Sequence, residues 1–189
     1  PPNKGDKIRS FHEIRFLSKH HDIHLACLAD DPADRRHAND LQAFCKRVSV
    51  EPLQKNRAML QGAAFLLAGK PFSVGYFHST ALHKTMNLWL SKEHYDAVIC
   101  FSSPMAEYCF RSLHLANPLL LMDFCDVDSD KWRQYAIETH LPIRLLYSLE
   151  SQRLLQYEKR VNHAFHQSVF VSQVERNLFK WLYPEAKNT

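Results

Sequence analysis

Asp123, Asp126 and Asp128 form the densest group of chemically capable side chains in the chain, within the run Asp123-Phe124-Cys125-Asp126-Val127-Asp128-Ser129. Carboxylates this close repel one another unless they are solvated, hydrogen-bonded or turned towards a ligand. Two readings follow. Either at least one of them meets a ligand, or the run is an acidic loop whose last member caps a helix beginning near Asp130. The opening residues, Asn3-Lys4-Gly5-Asp6-Lys7-Ile8-Arg9, offer a different chemistry. One glycine lies just ahead of a helical pattern, with Lys7 and Arg9 in its first turns. Free N–H groups at a helix start suit an anion or sugar hydroxyls. Asp6 competes for the same groups as a cap, and simple turn chemistry is the plainer alternative.

Other chemistries lack their signatures. Ser102 and Ser103 follow an apolar run but have no flanking G-x-S-x-G pattern. Neither G-x-G-x-x-G nor a Walker sequence is present. The cluster His20-His21-Asp22-Ile23-His24 spans a helix end and a strand start, so its side chains should diverge rather than hold a metal. His12-Glu13 lacks the second histidine of H-E-x-x-H. The five cysteines, Cys27, Cys45, Cys100, Cys109 and Cys125, include no C-x-x-C pair and predict neither a zinc site nor a disulfide framework. No metal and no cofactor is expected.

The elements that must position these residues alternate between compact apolar runs and helical stretches. Helices are predicted over 6–20, from Asp31-Pro32 onward, over 56–68, 80–92 and 105–115, over 129–165 with a break at Leu141-Pro142, and over 174–182. Strands are predicted at 23–29, 47–53, 95–102, 119–124 and 168–172. The run Ala97-Val98-Ile99-Cys100-Phe101 is continuous in the manner of a parallel strand covered on both faces. Strands separated by helices imply β–α–β crossovers and an α/β fold, a Rossmann-like parallel sheet flanked by helices. Residues 1–189 read as one domain, with no linker or repeat. Because the opening residues look like a β–α turn, a short first strand is expected ahead of Pro1.

In an open α/β sheet ligands bind outside the carboxyl ends of the strands. That rule selects Gly5, Asp6, Lys7 and Arg9 at the opening loop, and Asp30 and Asp31 after the next strand. It also selects Ser102 and Ser103, and the loop carrying Asp123, Asp126 and Asp128.

These features together resemble the N-terminal domain of family-4 glycosyltransferases of the GT-B fold, closest to the sugar transferases associated with exopolysaccharide and PEP-CTERM loci. The likeness rests on Pro1-Pro2-Asn3-Lys4-Gly5-Asp6-Lys7-Ile8-Arg9-Ser10, on Asp30-Asp31-Pro32-Ala33-Asp34, on Asp123 through Tyr135, and on Tyr157-Glu158 through Val169-Phe170-Val171-Ser172. It implies the acceptor-side half of a retaining glycosyltransferase, which moves a sugar from a nucleotide-sugar donor to a glycan or lipid-linked acceptor. The donor-binding C-terminal domain would lie beyond Thr189, so this stretch alone is expected to be inactive. Many relatives carry a histidine near the end of the strand that here reads Leu121-Met122-Asp123-Phe124-Cys125-Asp126. Asp123 or Asp126 would take that place as the catalytic candidate, with Gly5, Asp6, Lys7, Arg9, Ser102, Ser103 and Asp128 as substrate-binding candidates. Glu150 and Glu158 match the E-x7-E spacing of the family's donor-site glutamates, but that pair belongs to the second domain. Here it falls on a long polar helix, where surface pairing explains it.

A net charge of +4 with dispersed basic residues suits anionic sugar nucleotides or lipid headgroups and argues against nucleic acid. No run approaches the ~18–20 apolar residues of a membrane span, and no signal peptide is apparent, so a cytoplasmic place is expected. Residues 57–70, apolar with basic ends, read first as a core-facing helix and second as a peripheral membrane contact at the inner face of the plasma membrane. The competing reading of the whole chain is a non-catalytic Rossmann-like binding or scaffold module in cell-envelope assembly.

Overall fold

The computed structural model describes residues 5–31 and 38–189, with side chains described for 7–31 and 40–189. Asn3, Lys4, the Asp6 side chain and the expected helix start at Pro32 lie outside the described residues. Five strands and nine helices follow in alternation among those described. They are α1 (Gly5–Leu17), β1 (His24–Ala29), α2 (Ala38–Leu41), β2 (Arg47–Pro52), α3 (Lys55–Leu67), α4 (Phe72–Tyr76), α5 (Thr80–Lys92) and β3 (Ala97–Phe101). A 3-10 turn (Ser103–Met105) leads into α6 (Ala106–Phe110), followed by β4 (Leu119–Cys125), α7 (Asp128–Glu138), α8 (Ile143–Ala164), β5 (Gln167–Phe170) and α9 (Gln173–Leu182).

All strand pairs are parallel and helices flank them, a Rossmann-like α/β arrangement. The sheet is in two pieces rather than one: β1 pairs with β2, and β3, β4 and β5 pair in that order. The core sits on the three-stranded piece, where Met122, Phe124, Leu154, Val161 and Phe179 are fully buried. Phe124, Phe170 and Phe179 stack within 5.1–5.2 Å of one another. Aromatic contacts of this kind add to ordinary apolar burial.

Three expectations need correction. The helix expected over 105–115 stops at Phe110, because the Ser112 hydroxyl accepts the His114 N–H and turns the chain. The short helix α4 was not expected. It exists because Glu150, 78 residues away, accepts the N–H groups of Phe72 and Ser73, and because Gly75 lets the backbone approach α3. A Cβ on Gly75 would lie 2.7 Å from the Gln61 carbonyl oxygen. Finally, α3 fully buries only small residues, Ala58 and Gly62, with Phe65 partly buried against the core, while Met59, Leu60 and Leu67 face outward.

Candidate functional site at the carboxyl edge of the sheet

The site is built where α1 crosses the carboxyl ends of the strands. Lys7 Nζ lies 3.5 Å from Asp30 Oδ1, just beyond β1. Two residues on, Arg9 Nη2 donates to Asp123 Oδ2 at 2.5 Å, and its guanidinium lies over the Phe101 ring at the end of β3. Glu13, four residues along α1, holds Arg9 Nε at 2.9 Å. Burial disfavours the charge on Arg9, but the Asp123 and Glu13 carboxylates outweigh it and hold the pKa above its ordinary value. The guanidinium is therefore fixed in place and fully charged. Its Nη1 is buried and has no hydrogen-bond partner among the described residues.

Asp123 is committed on both oxygens. Oδ1 accepts the Cys125 N–H at 2.9 Å and Oδ2 accepts Arg9, with the residue only 5% exposed. It positions Arg9 and the loop that follows β4. Asp126 is open to solvent and receives Lys131 Nζ at 2.7 Å, while Asp128 receives the same ammonium at 3.3 Å. Burial opposes the charge on Lys131, yet the hydrogen bond it donates to Asp126 and the charge of Asp128 hold its pKa above the usual range. Asp128 moves the other way for a carboxylate: burial raises its pKa, and the pull of Lys131 and a hydrogen bond from the Ser102 side chain only partly offset this.

The backbone here is strained. Ser102 has φ 73° and ψ 140°, and Cys125 has φ 60°, so adjacent strands β3 and β4 both end in a non-glycine residue in the left-handed half of conformational space. Such residues persist only where their surroundings over-determine them, and they cluster at working sites. The strain at Ser102 is held by its N–H, which donates to the Asp123 carbonyl at 2.7 Å. Ser103 follows, fully buried, with a hydroxyl that lacks a hydrogen-bond partner among the described residues. The Cys125 thiol is pushed up by burial and by Asp123, so it is not a nucleophile at neutral pH. Two further carboxylates of the sequence reading, Asp30 and Asp31, sit past β1, Asp30 against Lys7.

Of the sequence-selected residues, Lys7, Arg9, Ser102, Ser103, Asp123, Asp126 and Asp128 thus share one edge, with Gly5 opening α1 beside them. Sequence reasoning missed Glu13, Lys131 and Phe101. Glu13 at i+4 from Arg9 and Lys131 at i+3 from Asp128 are spacings that could have found two of them.

The acidic pair on α8 behaves differently. Glu158 is wholly buried and accepts both the Ser129 N–H and its hydroxyl, closing the start of α7. Glu150 closes the start of α4 in the same way. Surface pairing is therefore the wrong explanation for Glu150 and Glu158; each is a buried helix cap supplied from a distance. The cap expected from Asp128 is likewise supplied by Glu158, while Glu175 accepts the Val127 N–H. Burial raises the Glu158 pKa to about 8, against the opposing pull of its Ser129 hydrogen bonds.

Among the described residues no three His, Cys, Asp or Glu side chains converge as a metal site. His24 instead bonds the Tyr95 hydroxyl through Nδ1 at 2.5 Å. No helix among those residues is long and apolar enough to cross a membrane. No protein-family model, curated protein or solved structure matches the chain.

Proposed function

We propose that this chain is the acceptor-side domain of a retaining glycosyltransferase of GT-B architecture. In this reading it presents a glycan or lipid-linked acceptor to a nucleotide sugar held by a separate donor domain, in exopolysaccharide synthesis. The observation that carries the reading is the carboxyl edge itself. There the solvent-facing carboxylate Asp126 stands beside two strained strand ends, with Arg9 held behind it by Asp123. An acceptor hydroxyl can donate to Asp126, whose side chain reaches solvent. Asp126, as general base or hydroxyl-orienting group, is the better catalytic candidate. Asp123 has no free oxygen and acts through Arg9. The outward stripe Met59, Leu60 and Leu67, flanked by Lys55, Arg57 and Lys70, supports contact with an anionic membrane surface from the cytoplasmic side.

One observation favours a non-catalytic binding or scaffold module instead: Asp126 and Asp128 are both already engaged by Lys131 within the protein. Turnover separates the two. The full-length parent, given nucleotide-sugar donors and a lipid-linked acceptor, should form glycosidic product, while the 189-residue chain alone should not. A parent that binds acceptor and never turns over donor would favour the scaffold.

A further inference from the structure

Cys100 lies on β3 and Cys109 on α6, nine residues further on, and both are free thiols buried in the core. Their sulfurs face one another at 3.5 Å. The Cys100 thiol has a second acceptor in reach, the Met105 carbonyl oxygen at 3.8 Å. A disulfide holds its sulfurs about 2.05 Å apart, so closing this gap takes a movement of about 1.5 Å, shared between a strand and a short helix. The spacing of the two cysteines along the chain carries no signature of the pair. The 3-10 turn Ser103–Met105 makes it, by bringing α6 back against β3.

The two ends of the pair differ in what they can yield. Cys100 is fixed in the β3–β4 ladder, in register with Met122. Cys109 sits on a helix of five residues, too short to hold by itself. Side chains tether that helix: the Tyr108 hydroxyl donates to the Phe77 carbonyl, and Glu107 accepts from Arg111 and from the Tyr157 hydroxyl. Local opening of α6 is therefore the route by which a small oxidant meets Cys109. The protonation bias runs the same way. A hydrogen bond from the Cys100 thiol holds the Cys109 pKa below that of an ordinary thiol, against the opposing effect of burial. Cys45 and Cys125 are pushed up instead. Thiolate is the nucleophilic form, and of the facing pair Cys109 reaches it first.

We propose that Cys100 and Cys109 are a reversible oxidation site, a dithiol that hydrogen peroxide converts to a disulfide latching α6 to β3. The Cys109 thiolate attacks one peroxide oxygen. An S–O bond forms, the O–O bond breaks, and the departing hydroxide takes up a proton and leaves as water. The Cys100 sulfur then attacks the sulfur of the Cys109 sulfenic acid. The S–S bond forms, the S–O bond breaks, and hydroxide leaves with the Cys100 proton as a second water. Two thiols lose two electrons and the peroxide gains them; a dithiol reductant reverses the exchange. The ring so closed encloses residues 101–108, with Ser102 and Ser103 of the carboxyl edge inside it. None of this depends on the sugar chemistry of that edge.

Peptide mapping tests it. The folded chain, treated with hydrogen peroxide at neutral pH, alkylated and digested, should yield a peptide cross-linked between Cys100 and Cys109, which dithiothreitol separates. In the oxidised protein the α6 amides should exchange about tenfold or more slowly than in the reduced protein. Cys100→Ser removes the second thiol, so oxidation should stop at a sulfenic acid on Cys109 that dimedone labels. The latch is overturned if both thiols survive peroxide treatment, or if their cross-link forms only after unfolding in urea. A disulfide that leaves α6 exchange unchanged overturns it as well. Dimedone labelling absent from Cys109 in Cys100→Ser would overturn the order of attack.

Discussion

Two acidic groups in this molecule have opposite physical fates. On α8, Glu150 and Glu158 are buried, and each spends its oxygens on the N–H groups that begin another helix. On the loop after β4, Asp126 and Asp128 share one ammonium, and Asp126 remains open to solvent. A carboxylate whose lone pairs are consumed by backbone donors holds a fold together. One whose partner is a half-exposed lysine can exchange that partner for a ligand. Asp123 sits between these cases: it is buried and saturated like Glu158, but what it holds is Arg9, a side chain with a donor to spare.

The largest effect should come from the saturated group. Glu158→Ala leaves the Ser129 N–H and hydroxyl without partners and opens a cavity, and should cost about 3–5 kcal/mol in urea unfolding. Glu158→Gln retains an acceptor and a donor for the same two groups and should cost far less. The same pair fixes the pH dependence. The folded-state pKa of Glu158, about 8, lies above that of an unfolded glutamate, so the folded protein binds the extra proton. The stability this confers is complete below the unfolded value of about 4.5 and is lost as pH rises through about 8. Wild-type stability should therefore fall between pH 5 and pH 8 by more than that of Glu158→Gln. Parallel curves for the two proteins would contradict this.

Arg9→Ala should come next. It strands a buried Asp123 and detaches α1 from the strand ends, a loss of about 2–4 kcal/mol by denaturant titration. Arg9→Lys should recover only part of it, since an ammonium cannot hold Asp123 and Glu13 together as the guanidinium fork does. Glu150→Ala removes two amide acceptors from a five-residue helix and should cost about 1–2 kcal/mol. The smallest stability effect should be at Asp126, within about 0.5 kcal/mol for Asp126→Ala, because an exposed ion pair contributes little. If Asp126→Ala unfolds the domain as readily as Glu158→Ala, the distinction between the two groups fails.

How far the sequence revealed these roles follows from the range of the interactions. The strands at 97–101 and 119–125 are legible because a continuous apolar run has few other uses, and the carboxyl-end rule then selects Arg9, Ser102, Ser103 and Asp126. The two α8 glutamates were misread because a polar helix suggests a solvated one. A sharper signal was present: Glu150, Leu154, Tyr157, Glu158, Val161 and Asn162 repeat at helical spacing and form one buried face. Carboxylates in register with an apolar stripe are buried carboxylates, and buried carboxylates need donors. The Arg9–Asp123 pair, 114 residues apart, and the rescue of α4 by Glu150 have no local signature. Neither does the division of the sheet into a two-stranded and a three-stranded piece.

The most direct test is Asp126→Ala in the full-length parent, with stability and sugar transfer measured on the same preparation. The lost hydrogen bond to an acceptor hydroxyl should lower kcat/KM about ten- to hundredfold while the unfolding midpoint stays within error of wild type. Unchanged transfer, or a loss of transfer that merely tracks unfolding, would contradict a substrate-facing role for the carboxyl edge.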